Sequence, residues 1–473
     1  MKIQACLTIF GSLALFSATS AVHIKRHHAE LEGEDWIQSI PHILARDPTA
    51  LPEHWFDQKI DHFARKTSVF KQRYFVNSTY FKPGGPVYLY SPGEGPARPV
   101  GGGQLRNLAE ATHGLMVSLE HRYYGKSLPT AKSTFEGMKY LTVDQGLADF
   151  ANFIKKFKYQ GVTAKTKWAL VGGSYAGAQA SWGRQKYPEL IHAALASSGP
   201  VQAKADFYEY DLTLTEAIPC AEHLHQVTKY IDSVLDKGNK KDILKIKTAF
   251  GLQNITDNAD FAFAYTDILS GLVQYYKPAK VDPLEAFCSP FAFAKTMPEK
   301  LKVWGDYIRN QVTGPDSLHF YDYDGMRKNL AHDDTKGWYW QTCLELGYFQ
   351  TAPRGKLPRV RSKYCDLKQQ LGACEKIFGR KMNPSIAQFN RKHKGWNVRT
   401  SRIFYADGQI DPWRKLSVNS PYAPKRTSKP ANPLFVIEKG SHCTDLGSDS
   451  PFDSKSLKDV RKSEVESFKK WML

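Results

Sequence analysis

The sharpest chemical signal in the chain is Leu170-Val171-Gly172-Gly173-Ser174-Tyr175-Ala176-Gly177. Trp168 to Val171 is fully apolar and reads as a buried strand, which ends on a serine flanked by small residues that then opens a helix. Such a nucleophile elbow holds a hydroxyl in a strained backbone conformation, where bulky neighbours would clash. Gly172 and the small Ala176 meet that demand. The strict pattern has glycine two places after the serine, whereas here Gly177 stands three places after it. A serine needs a base to take its proton and an acid to orient that base. In the chain order Ser, Asp, His, two downstream loops supply them. Ile403-Phe404-Tyr405 leads into Ala406-Asp407-Gly408-Gln409-Ile410-Asp411-Pro412-Trp413, and Phe435-Val436-Ile437 leads into Glu438-Lys439-Gly440-Ser441-His442-Cys443. His442 is the expected base, while Asp407 and Asp411 compete for the acid on equal terms. The oxyanion of an acyl transfer would be met by the backbone N–H of Tyr175 and by a second donor in Ser91-Pro92-Gly93-Glu94-Gly95, at Gly93 or Glu94.

These groups converge only if the strands before them are parallel and end at one edge of a sheet. Gln72 to Val76, Pro86 to Tyr90, Leu115 to Leu119 and Ile191 to Ala196 all read as short strands. Helical spacing appears at Val143, Leu147, Phe150, Ile154 and Phe157, and Tyr175 to Tyr187 reads as a helix stopped by Pro188. Strands alternating with helices predict an α/β sheet, with the α/β-hydrolase core as the fold class. From about residue 205 the pattern turns helical (Ala221 to Leu235, Ile243 to Phe250, Phe261 to Tyr276), and strands return at Ser401 to Tyr405 and Leu434 to Ile437. The last twenty residues read as a helix with Leu457, Val460, Phe468 and Trp471 on one face. The expected organisation is therefore a core of 51–204 and 396–473 interrupted by a mainly helical insertion, 205–395.

The N-terminus predicts the compartment. Met1-Lys2 is basic, Cys6 to Phe16 is mostly apolar, and Ala18-Thr19-Ser20-Ala21 offers small residues for cleavage, so 1–21 reads as a secretory signal peptide. The apolar run is shorter than the roughly 20 residues a spanning helix needs. Residues 22–50 are polar and irregular, an N-terminal arm or a propeptide. Asn77-Ser78-Thr79 and Asn254-Ile255-Thr256 are glycosylation sequons, consistent with a secreted or extracellular protein, or a lysosomal or vacuolar one. Once Cys6 leaves with the signal, Cys220, Cys288, Cys343, Cys365, Cys374 and Cys443 allow up to three disulfides, and Cys365 with Cys374 could close a small loop. No CxxC pair points to zinc, and no metal or cofactor is implied. The net charge of +18 invites a nucleic-acid reading. Its basic clusters lack interleaved stacking aromatics and any binding motif, so no nucleic-acid partner and no transmembrane segment are expected. A homodimer is left open.

Several motifs together resemble one family. Phe56-Asp57-Gln58-Lys59-Ile60-Asp61-His62-Phe63, Ser91-Pro92-Gly93-Glu94-Gly95, Glu120-His121-Arg122-Tyr123-Tyr124-Gly125, the Ser174 elbow, Gln341-Thr342-Cys343, Asp411-Pro412-Trp413 and Gly440-Ser441-His442-Cys443 are similar to the serine peptidases that include lysosomal Pro-Xaa carboxypeptidase, dipeptidyl peptidase II and fungal prolyl endoprotease. The resemblance implies a helical cap over the active site and cleavage after proline, often at acidic pH. It also implies Asp411 as the acid and Trp413 as a wall of the proline pocket, with Ala178 and Leu446 at two further pocket positions. The expected function is a proline-directed peptidase acting on peptides or proteins, an exopeptidase before an endopeptidase. An exopeptidase must hold a terminal charge, and Glu94, Asp333, Asp334, Glu345, Arg122, Arg354 and Arg414 are the candidates. The alternatives are a prolyl endoprotease, a lipase or esterase on the same fold, and a non-catalytic secreted binding protein.

Overall fold

The strands that carry the site pair side by side. In the computed structural model, which describes residues 51–473 apart from 313 and 356, the strands are β1 (His54–Lys59), β2 (Val69–Asn77), β3 (Val87–Tyr90), β4 (Leu115–Leu119), β5 (Trp168–Gly173), β6 (Ala193–Ser197), β7 (Lys204–Asp206), β8 (Gly347–Phe349), β9 (Ile403–Gly408) and β10 (Leu434–Ile437). Eight of them form one sheet in the order β1-β2-β4-β3-β5-β6-β9-β10. The β1–β2 and β2–β4 pairs are antiparallel and every other neighbour is parallel. The expected signal peptide and N-terminal arm lie outside the described residues.

Both faces of the sheet are covered at its centre, which is why β3, β4, β5, β6 and β9 are buried along their whole length without alternation. Leu89, Val117, Leu170 and Ala194 enter one core with Leu147, Phe150 and Trp182. Their neighbours along the same strands, Tyr88, Met116, Ala169 and Leu195, enter a second core with Leu105, Leu108, Val460 and Phe468. The first face is packed by α2 (Val143–Lys156) and α3 (Ser174–Lys186), the second by α1 (Gly103–Thr112) and α5 (Lys455–Met472). A mostly parallel sheet between helical layers, with an elbow after β5, is the α/β-hydrolase architecture.

Between β6 and β9 the chain is mainly helical. Among its elements is α4 (Asn258–Gln274), whose start is capped by the Asp257 carboxylate accepting from the amides of Ala259 and Asp260. The small β7–β8 sheet lies in the same stretch, a pairing the sequence did not suggest.

The cysteine expectation needs correction. Cys220 pairs with Cys288 and Cys343 with Cys374, while Cys365 and Cys443 are free and buried. Cys365 cannot reach Cys374 because the two belong to different apolar clusters: Cys365 packs in the main core and Cys374 faces Cys343 in a satellite core. One sequon is also closed. Asn77 is buried, its Nδ2 donates to the Val100 carbonyl and its Oδ1 accepts from Thr79, so the folded protein offers no free amide there. Asn254 is exposed.

Candidate active site

Parallel pairing brings the predicted residues to one sheet edge. Register partners Tyr90 and Val171, Gly173 and Ser197, Ser197 and Ala406, and Ile437 and Gly408 mark that edge strand by strand. The loops that follow carry Gly93, Ser174, Asp411 and His442. Ser174 sits at φ 57°, a left-handed conformation that a residue with a side chain enters only under constraint. The constraint is packing. A Cβ on Gly177 would lie 2.4 Å from the Ser197 carbonyl, so glycine three places after the serine lets α3 close onto β6. A Cβ on Gly173 would lie 2.7 Å from Cys443 Sγ, which shows how tightly the loop after His442 seats against the elbow.

The imidazole of His442 has one ring nitrogen engaged. Nδ1 lies 3.0 and 3.1 Å from the two carboxylate oxygens of Asp411, which is itself wholly buried. Donation from Nδ1–H leaves Nε2 as the acceptor in the neutral ring, and Nε2 is buried with no hydrogen-bond partner among the described residues. Burial pulls the His442 pKa down, but the Asp411 charge, the nearby Cys443 and the hydrogen bonds outweigh it and hold the value well above the ordinary one. Asp407 takes no part in this contact. Its carboxyl accepts from Asn419 Nδ2 at 2.8 Å, and burial together with the Asp411 charge pushes it up to about 8. The two aspartates that spacing left level are separated by geometry, since only Asp411 meets the imidazole.

The loop after β3 abuts the elbow. Gly93 adopts φ 75°, and a Cβ there would touch Ala176 at 3.4 Å. Next to it, Glu94 Oε2 is buried without a partner, and burial raises the carboxyl to about 7 against the pull of its own N–H and His442. The Tyr175 side chain is buried in a polar network: its hydroxyl accepts from Gln341 Nε2 at 2.7 Å and lies 3.3 Å from His121 Nε2. Trp413 is 7% exposed and ringed by Phe207, Tyr210 and Tyr348, with centroids 5.4–5.6 Å away, and by His442 at 6.3 Å. Ala178 and Leu446 are a correction. Both are fully buried, Ala178 in one core and Leu446 in the other, so neither presents surface to a ligand.

Sequence reasoning missed Phe207, Tyr210, Gln274 and Tyr348. All four lie in the helical stretch, where no diagnostic spacing gives them a shared role. Of the charges considered for a substrate terminus, most are spent. Arg122 is buried against Asp149 and three backbone carbonyls. Asp333 holds His319 and caps a helix, Asp334 accepts from Gly125 N, Glu345 accepts from Val143 N, and Arg354 pairs with Asp206. Glu94 Oε2 and Arg414 Nε are buried without a partner among the described residues.

The profile of serine carboxypeptidase S28 matches residues 58–464. The chain belongs to that family. A serine protease of Caenorhabditis elegans is 32% identical to it over 92% of this chain and 91% of its own. The thymus-specific serine protease of Mus musculus is 28% identical over 91% of this chain and 89% of its own. Lysosomal Pro-X carboxypeptidase of Bos taurus is 26% identical over 88% and 87%. This S28 chain is accordingly a serine peptidase on an α/β-hydrolase fold. Among its described residues no helix is long and apolar enough to cross a membrane, and no cluster of three or more His, Cys, Asp or Glu is placed to hold a metal.

Proposed function

We propose that the protein is a secreted peptidase that hydrolyses peptide bonds on the carboxyl side of proline through an acyl-enzyme on Ser174, with His442 as base and Asp411 as its orienting acid. The observation that carries the reading is the His442–Asp411 contact, with Nε2 left unpartnered beside an elbow whose serine is held at φ 57°. In this mechanism Ser174 Oγ attacks the substrate carbonyl carbon while its proton passes to His442 Nε2. The imidazolium keeps its Nδ1–H on Asp411, and the developing oxyanion takes the Tyr175 N–H and a donor from the Gly93–Glu94 turn. The C–N bond breaks as His442 returns the proton to the leaving amine. Water, deprotonated by the same nitrogen, then releases the acyl group. The apolar Trp413 box supports proline on the acyl side, because a rigid ring packs on indole and loses little entropy in doing so.

An exopeptidase is favoured by Arg414, which directly follows Trp413 and whose buried Nε has no partner among the described residues, as the cation for a carboxylate terminus. A fluorophosphonate probe should label the wild-type protein and not Ser174→Ala, and that variant should lose about 10⁴-fold or more in kcat. Absence of label on the wild type would end the catalytic reading. Proline peptides blocked at one end and then the other decide the rest. A block that stops cleavage identifies the recognised terminus, and cleavage of both blocked forms makes it an endopeptidase.

A further inference from the structure

We propose that Gln274, the last residue of α4, is a positioning residue that fixes the aromatic wall of the site and thereby its preference for a rigid apolar residue on the acyl side of the scissile bond. This rests on the peptidase reading above and adds to it a residue from the helical stretch. The Gln274 Oε1 atom accepts from Trp413 Nε1 at 2.9 Å and from the Tyr210 hydroxyl at 2.7 Å, while Nε2 donates to the Tyr275 hydroxyl at 2.8 Å. The indole N–H can only donate, so it fixes the amide in a single orientation, because a flip would set the NH₂ against it.

The role follows from what else holds Trp413. Its backbone N–H is fixed by Asp411 Oδ1 at 2.9 Å, which places the residue but not its ring. Phe207, Tyr210 and Tyr348 pack on the indole through dispersion, which has little directional preference and tolerates sliding. The indole N–H has one hydrogen bond to give, and Gln274 receives it, so the ring's rotation against His442 is set from α4. The main chain of the same residue serves a separate purpose. The Gln274 carbonyl accepts from His442 N at 3.3 Å and from Ser441 Oγ at 3.0 Å, with Val273 O also accepting from Ser441 Oγ. A side-chain substitution therefore loosens the wall while the backbone anchor of the histidine loop stays. Binding and chemistry should separate.

The test uses the full chain and matched substrates that differ only in proline or alanine on the acyl side. Gln274→Leu removes the acceptor at similar size, and Gln274→Glu keeps it. For Gln274→Leu, kcat/KM on the proline substrate should fall about tenfold, carried by KM. Its kcat and its rate of fluorophosphonate labelling should stay within about threefold of wild type. The preference for proline over alanine should shrink, and Gln274→Glu should recover most of it. A Gln274→Leu protein with wild-type KM and preference overturns the inference. So does one whose labelling rate collapses together with KM, since that is general loss of the site. Tyr210→Phe, which removes one of the two hydrogen bonds on Gln274 Oε1 and leaves the amide less firmly held, should show a smaller rise in KM. It decides the matter should Gln274→Leu not fold, and an unchanged KM there also counts against the role. A wild-type protein that labels but does not prefer proline refutes the function proposed above instead, and Gln274 is then judged by KM on the substrate that is cleaved.

Discussion

His442 and Glu94 share a buried environment in which each influences where a proton resides. Asp411 holds the imidazole well above its ordinary pKa despite burial, and burial lifts Glu94 to about 7 while His442 pulls it back. A working base needs neutral His442, and an oxyanion beside Glu94 needs that carboxyl protonated, because a carboxylate there would repel it. This form carries the same number of protons as the idle pair of imidazolium and carboxylate. Glu94→Gln breaks the exchange: it is neutral at every pH and removes an anion that favours the imidazolium, so the His442 pKa falls. The expected kcat/KM profile of Glu94→Gln has its acid limb displaced to lower pH and lacks the decline that follows Glu94 ionisation above about 7. Profiles that superimpose on wild type would remove Glu94 from the mechanism. At this scale Ser174 and His442 are legible in the sequence as residue types on loops after apolar strands. The choice of Asp411 over Asp407 is legible only through the family resemblance of Asp411-Pro412-Trp413, because spacing does not record which carboxyl faces the ring and which faces Asn419.

The elements were legible where one stretch of chain contains the whole signal. The apolar run 168–171 is a strand because helices cover both of its faces, and Leu457, Val460, Phe468 and Trp471 share a buried helix face at the spacing expected. Pairing between elements is a different matter. Cys343 joins Cys374 across 31 residues and Cys220 joins Cys288 across 68, while Cys365 stays a thiol although Cys374 is nearer to it along the chain. Alkylation of the unfolded, unreduced protein followed by peptide mass mapping should therefore find Cys365 and Cys443 modified and the other four protected. A bridge involving Cys365 would contradict the packing described. Replacing both Cys343 and Cys374 by alanine should cost about 3–4 kcal/mol, the chain entropy of a loop of that length, read from denaturant unfolding.

Across the molecule, buried acids set the pH at which the fold is most stable. Burial raises Glu94 and Glu345 to about 7, Asp211 and Asp445 to about 6, and Asp407 to about 8. The same groups titrate near 4 in an unfolded chain, so the stability they allow is complete below that value and is lost as pH rises through the folded ones. Buried His121 and His393 act in the opposite sense. They are depressed to about 4, and the stability tied to them is present above their unfolded pKa and lost as pH falls toward 4. The two trends place the maximum in mildly acidic solution. Tm by scanning fluorimetry should be higher at about pH 5.5 than at about pH 8, and Asp407→Asn should narrow the gap. A Tm that rises over that interval would refute the assignment of buried neutral acids.

By itself the sequence determined the α/β alternation, the serine elbow, the loops after strands that carry Ser174 and His442, and the family. Each of these is written in residues close together along the chain, where strand apolarity, small residues at a tight turn and helical spacing act locally. Only the tertiary structure decided the contact between His442 and Asp411, the disulfide pairs, the closed Asn77 sequon, the removal of Ala178 and Leu446 from the pocket, and the place of Gln274. These depend on which side chains meet after folding. His442 meets Asp411 across 31 residues and Trp413 meets Gln274 across 139, and no local pattern records which donor finds which acceptor over such separations.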